Sequence, residues 1–77
     1  MDKWNEFLNS IAGVHDVRTA NQWIKKYNIK CLKFGKCKTK KNGEEYALYT
    51  AGEDVRRIKI KSSPYLIELL EYAYDCI

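Results

Sequence analysis

The Asn42-Gly43 pair constrains this fold more than any other feature, because Asn-Gly is the dipeptide most typical of tight turns between antiparallel strands. Residues 29–35, before the turn, alternate between side chains on two faces, as strand residues do. Residues 45–50, after the turn, are rich in strand-forming side chains. The sequence therefore predicts a β-hairpin of these two strands, joined by a long basic loop that contains residues 36–41.

Two amphipathic helices are predicted before the hairpin, and an aspartate stands at the start of each. Asp2 caps a helix that runs to about Ala12. Its apolar stripe is Trp4, Phe7, Leu8 and Ile11. Asp16 caps a second helix that runs to about Tyr27, and Asn28 is a typical C-terminal stop. The apolar face of the second helix is Val17, Ala20, Trp23, Ile24 and Tyr27.

The segment after the hairpin allows two interpretations. Thr50-Ala51-Gly52-Glu53 has the spacing of a capping box, which predicts a short helix that begins near Ala51. Residues 57–61 alternate and could instead form a third strand, although we favour the helix. Ser63 and Pro64 then predict the start of a last helix. Its apolar stripe is Leu66, Leu69, Leu70, Ala73 and Ile77, which serves either as core or as a homodimer contact.

Charge is segregated along the chain. The net charge is +4, and residues 18–41 contain nine basic side chains and no acidic one. A second basic group follows at Arg56, Arg57, Lys59 and Lys61, whereas residues 62–77 contain three acids and no base. Such a distribution builds a directional field that attracts a polyanion to one side. The alternative is a lysine-rich surface whose only role is solvation.

Several classes of function are disfavoured by the composition. No paired carboxylates, glycine-rich phosphate loop or close Cys–His pair points to catalysis, so we expect no enzyme activity and no cofactor. Cys31, Cys37 and Cys76 are too few and too widely spaced for a typical zinc site, and we expect reduced thiols, with Cys31 partly buried in a strand. No segment approaches the roughly 20 apolar residues of a membrane span. The expectation is a cytoplasmic domain with no membrane partner.

The stretch from Leu8 to Lys61 resembles the winged helix-turn-helix of the MerR and excisionase group of DNA-binding proteins. The resemblance is carried by Val17-Arg18-Thr19-Ala20-Asn21-Gln22-Trp23-Ile24-Lys25-Lys26, by Cys31-Leu32-Lys33-Phe34-Gly35-Lys36 and by Tyr49-Thr50-Ala51-Gly52-Glu53-Asp54-Val55-Arg56-Arg57-Ile58. It implies a small α+β winged helix-turn-helix domain, with helices packed on a two- or three-stranded antiparallel hairpin sheet. Residues 1–28 would form the helix-turn-helix, 29–50 the wing and 51–77 the C-terminal helices. The coiled coil and effector domain of MerR proteins have no counterpart here.

The same resemblance implies which side chains would meet duplex DNA. On the second helix, Arg18 would contact guanine, Asn21 and Gln22 would contact adenine, and Thr19 would touch a thymine methyl or a phosphate. The residues expected on the phosphate backbone are Lys25, Lys26, Arg56 and Arg57. The hairpin lysines expected to meet phosphates or a minor groove are Lys36, Lys38, Lys40 and Lys41. The domain would then be a small transcription regulator or an excisionase-like recombination accessory factor.

A protein-binding module is the rival interpretation. A small phage-type inhibitor or adaptor could bind a host protein through the basic face or through the apolar last helix. RNA binding is a weaker third option, because the sequence offers no exposed aromatic pair of the kind that stacks on bases.

Overall fold

Three helices and one three-stranded antiparallel sheet make up the described part of the chain. The computed structural model describes residues 2–41, 43–52 and 56–76. The elements are, in chain order, α1 (Lys3–Ser10), α2 (Val17–Lys26), β1 (Leu32–Thr39), β2 (Gly43–Thr50), β3 (Lys59–Ser63) and α3 (Leu66–Tyr74). The strand order is β1-β2-β3, so β1 and β3 are the two edges. Among these residues, no helix has both the length and the apolar character that a bilayer crossing requires.

Both N-terminal helices begin at the predicted aspartates. The Asp2 carboxylate accepts a hydrogen bond from the backbone N–H of Trp4. At α2, the Asp16 carboxylate accepts from the Thr19 N–H at 2.8 Å, and the Thr19 hydroxyl accepts from the Asp16 N–H at 3.1 Å. After α2, Asn28 adopts a φ of 53°, the left-handed conformation that ends helices. These local signals were sufficient to place both helices.

The Asp16 cap makes α2 sensitive to acid. The hydrogen bond from the Thr19 backbone, followed by the one from its side chain, lowers the pKa of Asp16. A lowered folded-state pKa stabilises the protein above the unfolded value of about 3.9, and this contribution is lost as the pH falls through the folded pKa. We expect the melting temperature of Asp16→Asn to lie below that of the parent at about pH 6, and the gap to close in acid. A gap that stays constant from about pH 6 to pH 2.5 would contradict this origin of the effect.

The hairpin is longer, and its loop shorter, than the sequence predicted. The strands extend to a final pair of Thr39 with Gly43, so the segment predicted as a long loop is mostly strand. Lys36 lies opposite Tyr46, and Lys38 lies opposite Glu44. Cross-strand pairs of lysine with an aromatic ring or a carboxylate stabilise the strands, and this explains the extension.

The segment after the hairpin leads into a strand. The Thr50 hydroxyl accepts from the Ile58 N–H and donates to the Arg56 carbonyl, both at 2.8 Å, so it closes this connection and does not cap a helix. The predicted helix near Ala51 is therefore absent at residues 51–52 and 56–58, while its residues 53–55 lie outside the described part of the chain. The alternative that we disfavoured, a third strand, is the one found, as β3.

One face of the sheet, the inner face, packs against the helices, and the other is its outer face. Phe34 of β1 and Leu48 of β2 lie opposite each other on the inner face and belong to the core. The other buried core residues are Phe7, Ala20, Trp23, Ile24, Leu66, Leu69, Leu70 and Ala73. Of the predicted apolar face of α2, Ala20, Trp23 and Ile24 are buried, and the remaining two residues are partly buried. The predicted stripe of the last helix is buried, except that Ile77 lies outside the described residues.

The last helix begins slightly later than predicted. α3 starts at Leu66, and the Ser63 hydroxyl accepts from the Tyr65 N–H and donates to the Glu68 carboxylate. Ser63, the last residue of β3, therefore fixes the turn between this strand and α3 through its two hydrogen bonds. It is 3% exposed, and these two hydrogen bonds satisfy its hydroxyl in the interior.

Candidate nucleic-acid interface

The Asn21 side chain attaches α2 to the free edge of β1. Its amide oxygen accepts from the Phe34 N–H at 2.8 Å, and its amide nitrogen donates to the Phe34 carbonyl at 3.1 Å. Asn21 thus bonds to this residue as a neighbouring strand would, and it covers part of an edge that is otherwise open to pairing. This contact fixes how the exposed face of α2 is placed beside the hairpin.

The contact at Asn21 sets the direction of α2 along β1. One turn towards the C-terminus, Lys25 lines a shallow depression together with Leu32 and Lys33. Since Lys25 lies beside residues that precede Phe34 in β1, α2 and β1 run in opposite directions. Arg18, one turn before Asn21 on the same flank, therefore lies towards the part of β1 that follows Phe34.

Hairpin lysines continue this row of positive charge. Side chains alternate between faces along a strand, so Lys36 and Lys38 lie on the inner face with Phe34, beyond the area that the helices cover. The Lys36 ammonium is 3.2 Å from the Glu44 carboxylate and 5.8 Å from the centre of the Tyr46 ring. Lys40 and Lys41 are exposed at the turn.

We call this region the α2–hairpin surface. Its members are Arg18, Gln22, Lys25, Lys26, Lys36, Lys38, Lys40 and Lys41, all exposed. Lys26 and Gln22 lie on the side of α2 that faces the turn after α1, where both line a depression with Gly13 and Val14. Lys36–Glu44 is the one ion pair found for these cations within the described residues.

The acidic side chains of α3 lie at the other side of the fold. α3 packs on β2 and β3, away from the β1 edge. Its residues Glu68, Glu71 and Asp75 line a depression with Lys61, and the Asp75 carboxylate is 3.1 Å from the Lys3 ammonium. The acidic residues of α3 are therefore separated in space from the cations of α2 and the hairpin, among which Glu44 is the paired acid. A separation of this kind builds a field that attracts a polyanion to the basic side.

Two predicted contact residues have structural partners instead. Both hydrogen-bonding groups of the Asn21 amide are used by Phe34, so the bidentate adenine contact expected of Asn21 would require this attachment to break. The Thr19 hydroxyl accepts from the N–H groups of His15 and Asp16 within the cap. Arg18 and Gln22 are the predicted base-contacting residues whose side chains remain exposed.

Arg57 lies on a different face from the one expected. Its guanidinium carbon is 4.2 Å from the centre of the Tyr49 ring, and alternation along β2 puts Tyr49 on the outer face of the sheet. Arg57 therefore does not join the α2–hairpin surface. Arg56 is exposed, and its carbonyl accepts from Thr50.

The sequence did not single out Lys33, Lys59 and Tyr49, which the strand pairing brings together. Lys33 and Lys59 are the cross-strand neighbours of Tyr49 on either side. Strand alternation is the signal that could have found Lys33, because adjacent residues of a strand lie on different faces and Phe34 is on the inner one. Their grouping also depends on the order of the three strands, which the sequence did not show.

The cysteines contribute no visible site. Cys31 is exposed, with a φ of 67°, and it precedes β1, so the expectation that it is partly buried in a strand is wrong. Cys37 and Cys76 are also free thiols. Within residues 2–41, 43–52 and 56–76, no three His, Cys, Asp or Glu side chains gather closely enough to hold a metal ion.

Comparison with known protein families, with curated protein sequences and with solved structures gives no match. The interpretation of the site therefore depends on the geometry and charge of this chain alone.

Proposed function

We propose that this domain binds duplex DNA through the α2–hairpin surface, chiefly by contacts to the phosphate backbone. The observation that carries the proposal is the row of exposed cations along the β1 edge, where the Asn21–Phe34 attachment joins Arg18 and Lys25 to Lys36 and Lys38. Lysine and arginine side chains that neutralise phosphates release condensed counterions, which is the main source of non-specific duplex affinity.

The order of elements supports a winged helix-turn-helix arrangement. α1, a turn and α2 precede the β1–β2 hairpin, as a helix-turn-helix precedes its wing. In this arrangement α2 would approach the major groove, and the hairpin lysines would meet the adjacent backbone. The acidic α3 residues would face away from the duplex, which orients the encounter.

Binding of this kind would be more architectural than sequence-specific. Base readout in the major groove needs exposed side chains that present paired donors and acceptors. Because Asn21 and Thr19 are used within the fold, Arg18 and Gln22 remain for that role. We therefore favour the function of an accessory or architectural factor over that of a repressor with a long recognition site.

A salt titration tests the proposal. Fluorescence anisotropy of a random duplex should give a log–log slope of roughly −4 to −5, as expected for about four to six phosphate contacts. In the control titration, a free lysine-rich peptide replaces the domain. Its affinity shows how much duplex binding positive charge gives without a folded surface. A flat salt response, or no binding at about 50 mM salt, would favour the protein-partner interpretation.

A further inference from the structure

Tyr49 lies across the outer face of the sheet. Its hydroxyl donates to the Lys36 carbonyl at 3.2 Å, so the ring spans the strand from β2 to the free edge of β1. The ring passes over Gly35, where a Cβ atom would lie 3.0 Å from the Tyr49 Cε2 atom and 3.1 Å from the Arg57 Nη2 atom. Gly35 is therefore the residue that allows Tyr49 and Arg57 to approach the backbone closely.

Three cations neighbour Tyr49, one stacked on its ring and two on the adjacent strands. The Arg57 guanidinium stacks on it, with 4.2 Å between the guanidinium carbon and the ring centre. Lys33 is paired with Tyr49 across β1, and Lys59 is paired with it across β3. We call Lys33, Tyr49, Arg57 and Lys59 the outer-face cluster. Stacking on the ring face restricts the orientation of Arg57, and a guanidinium in one orientation suits an anion with several oxygens.

Within the described strands, the outer face presents little negative charge against these cations. Alternation along β1 and β2 puts one carboxylate on this face, that of Glu45. β3, whose register against β2 shifts between Leu48 and Tyr49, contains no carboxylate. Glu45 is 8% exposed, so its carboxylate is largely withdrawn from solvent. Lys33, Arg57 and Lys59, by contrast, are all exposed.

The cluster and the α2–hairpin surface lie on opposite faces of the sheet. Lys36 and Lys38 belong to the inner face, whereas Lys33 and Arg57 belong to the outer one. The two surfaces adjoin at a depression that both Lys25 and Lys33 line. A duplex held along α2 and the hairpin would therefore leave the far side of the outer-face cluster uncovered.

We propose that the outer-face cluster binds the phosphate backbone of a second duplex segment, so that one domain bridges two segments. The inference extends the proposed function and rests on it, because the first segment is the one bound by the α2–hairpin surface. Three cations would supply about three phosphate contacts, which gives weaker binding than the first surface but enough to capture a second segment held nearby.

A bead-capture assay tests bridging. A biotinylated random duplex of about 30 base pairs is fixed on beads, and a fluorescent duplex of the same length without biotin is offered with the full chain. We expect captured fluorescence to rise with the domain and to fall again in excess, when separate copies saturate each duplex. The variant Lys33→Gln/Arg57→Gln/Lys59→Gln should lose at least about 80% of the capture and keep single-duplex affinity within about threefold.

The matched control is Arg18→Gln/Lys25→Gln/Lys38→Gln, which removes the same number of cations from the α2–hairpin surface. It should lower single-duplex affinity and bridging together. If the parent binds one duplex but captures no second one, or if the outer-face variant bridges like the parent, the inference is overturned and the proposed function stands. An outer-face variant that loses more than about tenfold in single-duplex affinity would indicate one continuous surface, and it would also overturn bridging. If the parent binds no duplex at all, both the bridging inference and the proposed function are wrong.

Discussion

The variant Arg18→Gln/Lys38→Gln is expected to bind a random duplex about 30-fold more weakly than the parent at about 0.15 M salt. Each lost phosphate contact removes roughly a factor of five in affinity at that ionic strength, and about 0.9 from the log–log salt slope. The slope should therefore fall in magnitude by about 1.8. Anisotropy titrations over a range of salt concentrations measure both quantities on the same samples.

A variant with the same loss of charge on the other side of the fold provides the control. Lys3→Gln/Lys61→Gln also removes two cations, but Lys3 pairs with Asp75 and Lys61 lies 5.7 Å from the Tyr72 ring, both beside α3. Its duplex affinity should stay within about threefold of the parent, because long-range effects are screened beyond roughly 8 Å. Equal losses in the two variants would mean that net charge, and not the α2–hairpin surface, governs binding.

Asn21→Ala should lower the melting temperature by roughly 5–20 °C. The substitution removes both hydrogen bonds to Phe34 and leaves its backbone N–H and carbonyl without these partners at the junction of α2 and β1. The loss of such a pair costs about 1–3 kcal/mol, which is a large share of the stability of a domain this small. Thermal unfolding followed by circular dichroism measures the shift.

The neighbouring glutamine serves as the control for Asn21. Gln22 is exposed on the same helix, and Gln22→Ala should change the stability by no more than about 0.5 kcal/mol. At a temperature where Asn21→Ala is folded, Trp23 and Ile24 still pack α2 in the core and keep its cations beside the hairpin, so the duplex affinity of Asn21→Ala should lie within about threefold of the parent. A stable Asn21→Ala domain with a selective loss of binding to adenine-containing sites would restore Asn21 as a base-reading residue.

The features that could be predicted from the sequence are those decided by nearby residues. Asp16 caps α2 through Thr19, three residues away, and Asn28 ends the helix by its own backbone conformation. The buried face of α2 follows from the spacing of apolar side chains, which recurs with the turn of the helix. An α+β domain with an antiparallel sheet could therefore be predicted from the sequence.

Partners distant in sequence decided the features that were missed. Thr50 has the spacing of a helix cap, but its hydroxyl binds Ile58, and the backbone there leads into β3. Asn21 has the chemistry of an adenine contact, but its partner Phe34 lies 13 residues away on an edge strand. A short-range sequence pattern does not indicate that such a polar side chain will form hydrogen bonds to a distant part of the backbone.

The candidate site was predicted in part. The exposed cations of α2 and the hairpin follow from charge and periodicity, but their alignment depends on the attachment at Asn21. The assignment of Arg57 to the same surface failed because the face of the sheet on which a side chain lies depends on strand register. That register brings Arg57 onto Tyr49 and above Gly35, on the outer face.

The central claim is that the exposed flank of α2 and the hairpin lysines act together as one duplex-binding surface. Titration of the ¹⁵N-labelled domain with a random duplex of about 12 base pairs, at low salt, tests it residue by residue by NMR. We expect the largest amide shift changes in both α2 and residues 36–41, with α3 nearly unaffected. Changes confined to one of these two elements, or largest in α3, would contradict it.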